Sequence, residues 1–291
     1  MSGYPDLSSS SLFGGFKGKV AVVTGGGSGI GTMIATAYVQ NGAKVYISSR
    51  KEKQLKETAD SLNKLGPGSC YYVVADLSNK AGCDKLVDEI KAKESKIHIL
   101  VNNSGMSWGA PIDSFPEKEG WDRLFALNVK SIFYMTVGLA DLLAKDATSH
   151  SPGSVINMSS VAGLNPIADA GRLSAGNTGV YSYNASKAAV NHLTSSLAVT
   201  YAKRFITVNA ICPGVFPSKM TAFGVKKAGG IEAMGSDNPF KRIGEPQDMA
   251  GLALFLSSPA GAYVTGVHIA LDGGANLSRG ADMLGGSQPK L

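Results

Sequence analysis

The stretch YSYNASK, Tyr181 to Lys187, sets phenols close to an ammonium group. Two tyrosines compete for one role. On a helix, Tyr183 and Lys187 lie four residues apart and share a face. Tyr181 lies six residues before the lysine, on a different azimuth and outside the expected helix. Tyr183 is therefore the candidate acid/base. A tyrosine hydroxyl ordinarily titrates at about 10. A neighbouring ammonium favours the phenolate and is expected to lower that value. A proton donor to a developing alkoxide must give its proton and regain it. Alone, Tyr-x-x-x-Lys would read as a surface pair; the motifs around it decide otherwise.

The second group is TGGGSGIG, Thr24 to Gly31. Gly25, Gly29 and Gly31, with Ser28 and Ile30 between them, follow an apolar run and open a helical pattern. In that context glycines let the backbone approach a pyrophosphate, and the helix start offers free N–H groups. The next apolar run ends in Ser48, Ser49 and Arg50, with no acid at its end. An acid there would hold a ribose 2′-hydroxyl; Ser49 and Arg50 instead suit a 2′-phosphate, so NADP is the expected cofactor. Asp76, before Leu77, is placed to accept from an adenine amino group or to cap the next helix. Asn102-Asn103-Ser104-Gly105 ends another apolar run. Its short polar side chains can tie strands together and line the ribose site.

Such groups need a scaffold that gathers them. Lys19–Thr24 reads as a strand, followed by a helix bearing Ile30, Met33, Ile34, Ala37 and Tyr38, then the strand KVYISS. Helices are expected over 51–65, 80–94, 121–143, 183–203 and 246–256. Between them lie the strands CYYVVA, IHILVN, SVINMS, ITVNAI and VHIALD. Strands alternating with helices require parallel pairing through crossovers. Their unbroken apolar character fits a sheet covered on both faces. The fold class is α/β, a Rossmann-type doubly wound parallel sheet in one domain spanning 19–276. Residues 1–18, rich in Ser and Gly, read as a flexible arm, and 277–291 as a tail. Segments 164–180 and 215–240 break the rhythm after strand ends, where such sheets bind ligands.

The composition excludes other classes. The net charge of +6, with 28 Lys+Arg against 22 Asp+Glu, is scattered, so no nucleic-acid face is expected. No run of about 18 apolar residues is present, so no membrane span is expected. Cys70, Cys83 and Cys212 form no cluster, and His98, His150, His192 and His268 show no ligand spacing. No metal is expected, and the compartment is a reducing one. The terminal PKL departs from the peroxisomal SKL signal by a proline, which leaves the cytoplasm as the expected location.

These motifs together resemble the short-chain dehydrogenase/reductase family over about Phe16 to Asn276. The resemblance rests on the glycine turn, Asn102-Asn103-Ser104-Gly105, Asn128, Ser159-Ser160, Tyr183-x-x-x-Lys187 and Pro213-Gly214. The family has Ala where Ser104 stands. The resemblance implies that Ser160 binds the substrate oxygen and that Tyr183 is the acid/base. It implies that Lys187 holds the nicotinamide ribose and that Asn128 anchors a water. Gly105, Pro213 and Gly214 would flank the cofactor. It also implies a homo-oligomer, a tetramer over a dimer.

The segments NNSGMSWGA, INMSSVAG and PGVFPSKMT are similar to the 3-oxoacyl-carrier-protein-reductase-like branch associated with rhamnolipid synthesis. The expected function is NADPH-dependent reduction of a ketone of 3-oxoacyl type, reversible as alcohol oxidation. A polyol or sugar-alcohol dehydrogenase is the alternative. A non-catalytic NADP-binding regulatory protein is the reading from another class, and the intact Asn128, Ser160, Tyr183 and Lys187 set argues against it. Ser160 and Tyr183 stand 23 residues apart, longer than the compact family pattern. The added residues fall within 165–180, where a loop can admit or fence a bulky substrate. Met106, Trp108, Phe216, Met220 and Phe223 are candidates for an apolar wall.

Overall fold

The computed structural model describes residues 4–168 and 178–278. After a short helix, α1 (Ser9–Phe13), come β1 (Val20–Thr24), α2 (Gly29–Gln40), β2 (Lys44–Ser49), α3 (Glu52–Leu62), β3 (Ser69–Val74), α4 (Lys80–Lys93) and β4 (Ile99–Asn102). A continuous helical segment follows. It comprises a π-helical turn (Glu117–Asp122), α5 (Arg123–Phe125), a second π turn (Ala126–Lys130) and α6 (Ser131–Ala144). Then come β5 (Gly153–Met158), α7 (Tyr181–Ala202), β6 (Ile206–Pro213), α8 (Ala222–Ala228), α9 (Ile231–Gly235), α10 (Pro246–Ser257), β7 (His268–Leu271) and α11 (Ala275–Ser278).

All seven strands pair in parallel, in the order β3-β2-β1-β4-β5-β6-β7. The chain builds outward from β1 through β2 to β3, then returns to place β4 on the other side of β1. That reversal opens a crevice at the carboxyl ends of β1 and β4, where open α/β sheets hold ligands. β1, β4, β5 and β6 are buried along their whole length, as their apolar runs foretold. On one face α2, α3 and α10 pack through Ile34, Tyr38, Leu55, Leu62, Met249 and Leu256. On the other, α4, α6 and α7 pack through Leu86, Ile90, Met135, Leu139, Leu143 and Leu197.

Three local expectations change. First, α7 starts at Tyr181, so Tyr181 lies inside the helix rather than before it. The helix is two residues longer at its start than expected, and the Tyr181 ring meets Phe115 edge-on at 5.8 Å between centroids. Second, the long helix begins at Glu117 and carries two π turns; each widens the ladder by one residue, a local form that composition does not announce. Third, the end of the N-terminal arm, at Phe16, is packed on the core. Phe16 is buried against Tyr38, with ring centroids 5.8 Å apart, and Lys19 Nζ lies over Phe16 while donating to the Ser257 carbonyl. Burying a phenylalanine contributes about 2 kcal/mol.

His98 accepts a hydrogen bond from Val20 N through Nδ1 at 3.0 Å, joining the starts of β1 and β4. Burial, aided by Lys96 and Lys19, pushes its pKa down to about 4. The unfolded chain binds this proton at about 6.5, the folded chain only near 4. The stability it contributes is thus full above about pH 6.5 and lost as pH falls toward 4, at up to about 1.4 kcal/mol per pH unit. Thermal melts of the parent and His98→Gln between pH 7 and 4 test this. The variant is expected to show a shallower loss of Tm on acidification; parallel curves overturn it.

Candidate active site

The glycine turn is shaped by contacts that admit no side chain. Gly25 has φ +66 and Gly29 φ +56. At Gly31 a Cβ would fall 2.4 Å from the Gly25 carbonyl oxygen and 2.5 Å from Asn103 Nδ2. Asn103 ties β4 to this turn: its Nδ2 donates to the carbonyls of Thr24 and Gly25 at 3.0 and 3.2 Å. Thr24 Oγ1 accepts from the backbone N–H groups of Asn103 and Ser104. Asn103 is thus the brace of the turn. Ser28 stands at the N-cap of α2 and makes no capping hydrogen bond, and Ile30 packs partly against the core. The first N–H groups of this 12-residue helix receive no side-chain cap, a setting suited to phosphate oxygens.

At the end of β2, the Ser49 hydroxyl lies beside Gly27, 3.5 Å from where a Cβ would stand. Arg50 is exposed and makes no ion pair among the described residues. Asp76 lies two residues past β3; its Oδ1 accepts from Ser78 N at 3.0 Å, which makes it a turn former. Leu77 is buried behind it. Gly214 N donates to the Leu271 carbonyl, docking the Pro213-Gly214 bend on β7.

The chemistry-bearing side chains gather at the carboxyl ends of β4, β5 and β6. Ser160 follows β5, and its Oγ accepts from Ala162 N at 3.1 Å. Tyr183 and Lys187 sit on one face of α7, and Lys187 Nζ lies over the Tyr183 ring, 5.6 Å from its centroid. Lys187 Nζ donates to the Met158 carbonyl at 2.7 Å. Burial pushes the Lys187 pKa down to about 8, with Cys212 opposing. The neighbouring Ser159 is structural: buried, its Oγ donates to the Lys187 carbonyl. Gly105 closes the group, since a Cβ there would stand 3.4 Å from Asn128 Oδ1 and 3.7 Å from Lys187 Nζ.

The expected depression of the Tyr183 pKa is not found. Burial raises it, and a hydrogen bond with Ser160 opposes the rise. Lys187 is drawn to a carbonyl and lies over the ring, so its charge does not reach the phenol oxygen as a hydrogen bond. The phenol therefore stays protonated at neutral pH, the form that donates to a carbonyl.

Asn128 occupies the second π turn and is fully buried. Its Oδ1 accepts from Met106 N and its Nδ2 donates to Met106 O, both at 2.9 Å. Two groups went unmarked in the sequence reading. Ser186 accepts from Asn128 Nδ2 at 3.1 Å. Ser218 reaches back to the glycine turn, 3.1 Å from a Cβ placed on Gly29. The hydroxyl pair Ser218 and Thr221, just after Pro213-Gly214, was the available signal.

The apolar wall is only partly formed. Phe216 is a core residue, buried against Gly244, because the chain turns inward after Gly214. Met220 and Phe223 are exposed, and Met106 and Trp108 are half-buried. The added segment is clamped at its base. Ala110 and Gly179 exchange backbone hydrogen bonds, Val180 N donates to the Ala168 carbonyl, and Asn184 Nδ2 donates to the Ile167 carbonyl. Residues 169–177, on which the fence expectation falls, lie outside the described residues. No cluster with metal-binding composition occurs among the described residues.

A dinucleotide cradle at β1 and a Ser-Tyr-Lys group beyond β5 on one doubly wound sheet define a nicotinamide-type oxidoreductase site. Residues 19–228 match the short chain dehydrogenase family, and the chain belongs to it. A 3-oxoacyl-[acyl-carrier-protein] reductase of rhamnolipid biosynthesis from Pseudomonas aeruginosa is 39% identical over 260 residues, spanning 89% of this chain and 97% of that one. A solved structure from Pseudomonas aeruginosa, the RhlG/NADP active-site complex, superposes with a TM-score of 0.82 at 39% identity, covering 91% of this chain and 99% of that one. A sorbitol dehydrogenase from Cereibacter sphaeroides is 34% identical over 274 residues, 90% of this chain and 98% of that one.

Proposed function

We propose that Tyr183, Ser160, Lys187 and Asn128 carry the reaction of this NADP(H)-dependent oxidoreductase, the reduction of a ketone and its reverse. The observation that carries the reading is Tyr183 and Lys187 on one face of α7, with Lys187 Nζ over the Tyr183 ring, beside a glycine cradle that excludes side chains. The cradle fits the cofactor: α2 N–H groups toward the pyrophosphate, Ser49 and Arg50 toward a 2′-phosphate, and Lys187 beside Gly105 toward the ribose. Bound NADPH supplies a hydride to the carbonyl carbon. Ser160 donates to the carbonyl oxygen and stabilises the charge that develops there. Tyr183 delivers its proton to that oxygen, and in alcohol oxidation it takes the proton back. Lys187 holds positive charge beneath the ring and favours the transient phenolate.

The substrate we favour is a 3-oxoacyl thioester, supported by the 39% identity to the Pseudomonas reductase. A polyol is the second reading, supported by the sorbitol dehydrogenase relative. NADPH-linked absorbance assays with S-acetoacetyl-N-acetylcysteamine, fructose and sorbose separate them. Preference for the thioester is expected; faster turnover of the sugars reverses the order, and failure of every ketone overturns the reductase reading.

Arg50 makes the cofactor choice testable. Arg50→Asp is expected to weaken NADPH binding by about 1–3 kcal/mol, the worth of a charge-assisted contact, while NADH binding does not fall. Fluorescence titration of both cofactors measures this, and equal losses for the two would remove Arg50 from 2′-phosphate recognition. A homo-oligomer, a tetramer over a dimer, fits the exposed Phe133 and Val137 on α6 and Val199 on α7. Cytoplasmic location is the accompanying reading, supported by three free, buried cysteines.

A further inference from the structure

Two polar rungs join the helical segment containing α6 to α7. The upper rung runs from Asn128 Nδ2 to Ser186 Oγ at 3.1 Å, and Ser186 Oγ in turn donates to the Tyr183 carbonyl at 2.7 Å. The lower rung crosses the sheet. Asn102 Nδ2 donates to Thr136 Oγ1 on α6 and to Asn157 Oδ1, and Asn157 Nδ2 donates to Thr194 Oγ1 on α7. Asn128 and Thr136 are eight residues apart, as are Ser186 and Thr194. At 1.5 Å per residue the rungs stand about 12 Å apart on both helices. The apolar contacts on this face, such as those of Met135, Leu139 and Leu197, tolerate small slides; hydrogen bonds do not.

The upper rung is directional. The Ser186 proton is committed to the Tyr183 carbonyl, so its lone pair must face Asn128. The Asn128 amide has one oxygen and two protons, and Met106 N, Met106 O and Ser186 Oγ use all three. Its orientation is therefore locked. Met106 follows Gly105, which stands against Lys187 Nζ and Asn128. The chain of bonds thus runs from the backbone of the proton donor to the loop beside the reacting centre.

We propose that Ser186 is a positioning residue. Its hydroxyl fixes the Asn128 amide, and with it the Gly105–Met106 loop, in register with Tyr183, so that the proton donor and the cofactor side of the cleft keep one spacing. This rests on the acid/base reading of Tyr183. Ser186 is fully buried and bonds Asn128 and the Tyr183 carbonyl, so its effect passes through Asn128 and the Tyr183 backbone. Removing the hydroxyl leaves one amide proton buried without an acceptor, and the amide then rotates or shifts to find one.

The test compares Ser186→Ala, Ser186→Thr and Thr194→Val, using NADPH and the best ketone of the panel above. Thr194→Val breaks the lower rung and serves as the stability control. Ser186→Ala is expected to lower kcat about tenfold, the scale of one unpaired buried donor, with KM and the NADPH Kd near parental. Ser186→Thr, which keeps the hydroxyl, is expected to recover most of kcat. Thr194→Val is expected to lower Tm at least as much while keeping kcat. Parental kcat in Ser186→Ala overturns the proposal. So does a kcat loss in Thr194→Val that tracks its Tm, which would make both rungs merely structural. Should Ser186→Thr prove overpacked and melt early, Ser186→Gly decides: kcat must fall as in the alanine variant. Tyr183→Phe is measured alongside; full activity there would sink the acid/base reading itself, a failure distinct from that of Ser186.

Discussion

Tyr183→Phe is expected to lower kcat for ketone reduction by roughly a hundredfold to ten-thousandfold, the range a positioned proton donor contributes. Only one oxygen is removed. The ring still rests over Lys187, and α7 keeps its backbone bonds, so Tm and NADPH affinity should stay near parental. The neighbouring Tyr181→Phe is the control. The Tyr181 ring packs edge-on against Phe115, and the substitution keeps that contact, so turnover should continue at about the parental rate. Stopped-flow or steady-state absorbance at the cofactor band measures both. Substantial turnover by Tyr183→Phe, or a matching loss in Tyr181→Phe, would place the proton donor elsewhere.

Gly31→Val is expected to abolish useful cofactor binding and to destabilise the fold. The first added carbon would stand 2.4 Å from the Gly25 carbonyl oxygen and 2.5 Å from Asn103 Nδ2. Neither neighbour is the free end of a flexible chain. One is backbone in the turn; the other is the brace that holds β4 to that turn. Relieving the overlap must open the turn or break the brace, at about 1–3 kcal/mol for overpacking. At this chain length that corresponds to a fall in Tm of about 2–4 °C for each kcal/mol. An opened turn also misdirects the α2 N–H groups, so the NADPH Kd should rise by at least about tenfold, or 1.4 kcal/mol. Calorimetric titration and a thermal melt give both numbers. Parental affinity in a folded variant would show that the turn adapts, and would remove it from pyrophosphate binding.

The sequence by itself determined the sheet and the local form of the candidate site. Uniform apolar strands with helices between them admit parallel pairing through crossovers, and β1 to β7 pair so. Local rules also sufficed for TGGGSGIG and for Tyr183 with Lys187, because a glycine turn and a four-residue helical spacing are short-range properties. Tertiary structure decided what depends on partners distant in the chain. Tyr181 joined α7 because Phe115, 66 positions away, gives its ring a contact. Phe216 went to the core because Gly244 leaves room for it. Phe16 held the end of the arm because Tyr38 lies beside it and Lys19, over its ring, reaches the Ser257 carbonyl. The Tyr183 phenol gained a raised pKa because burial outweighs a lysine whose ammonium is held by the Met158 carbonyl. The Asn128–Ser186 bond spans 58 positions and depends on a π turn. Spacing along a chain fixes which side chains share a face; desolvation and the orientation of hydrogen bonds exist only once separate faces meet.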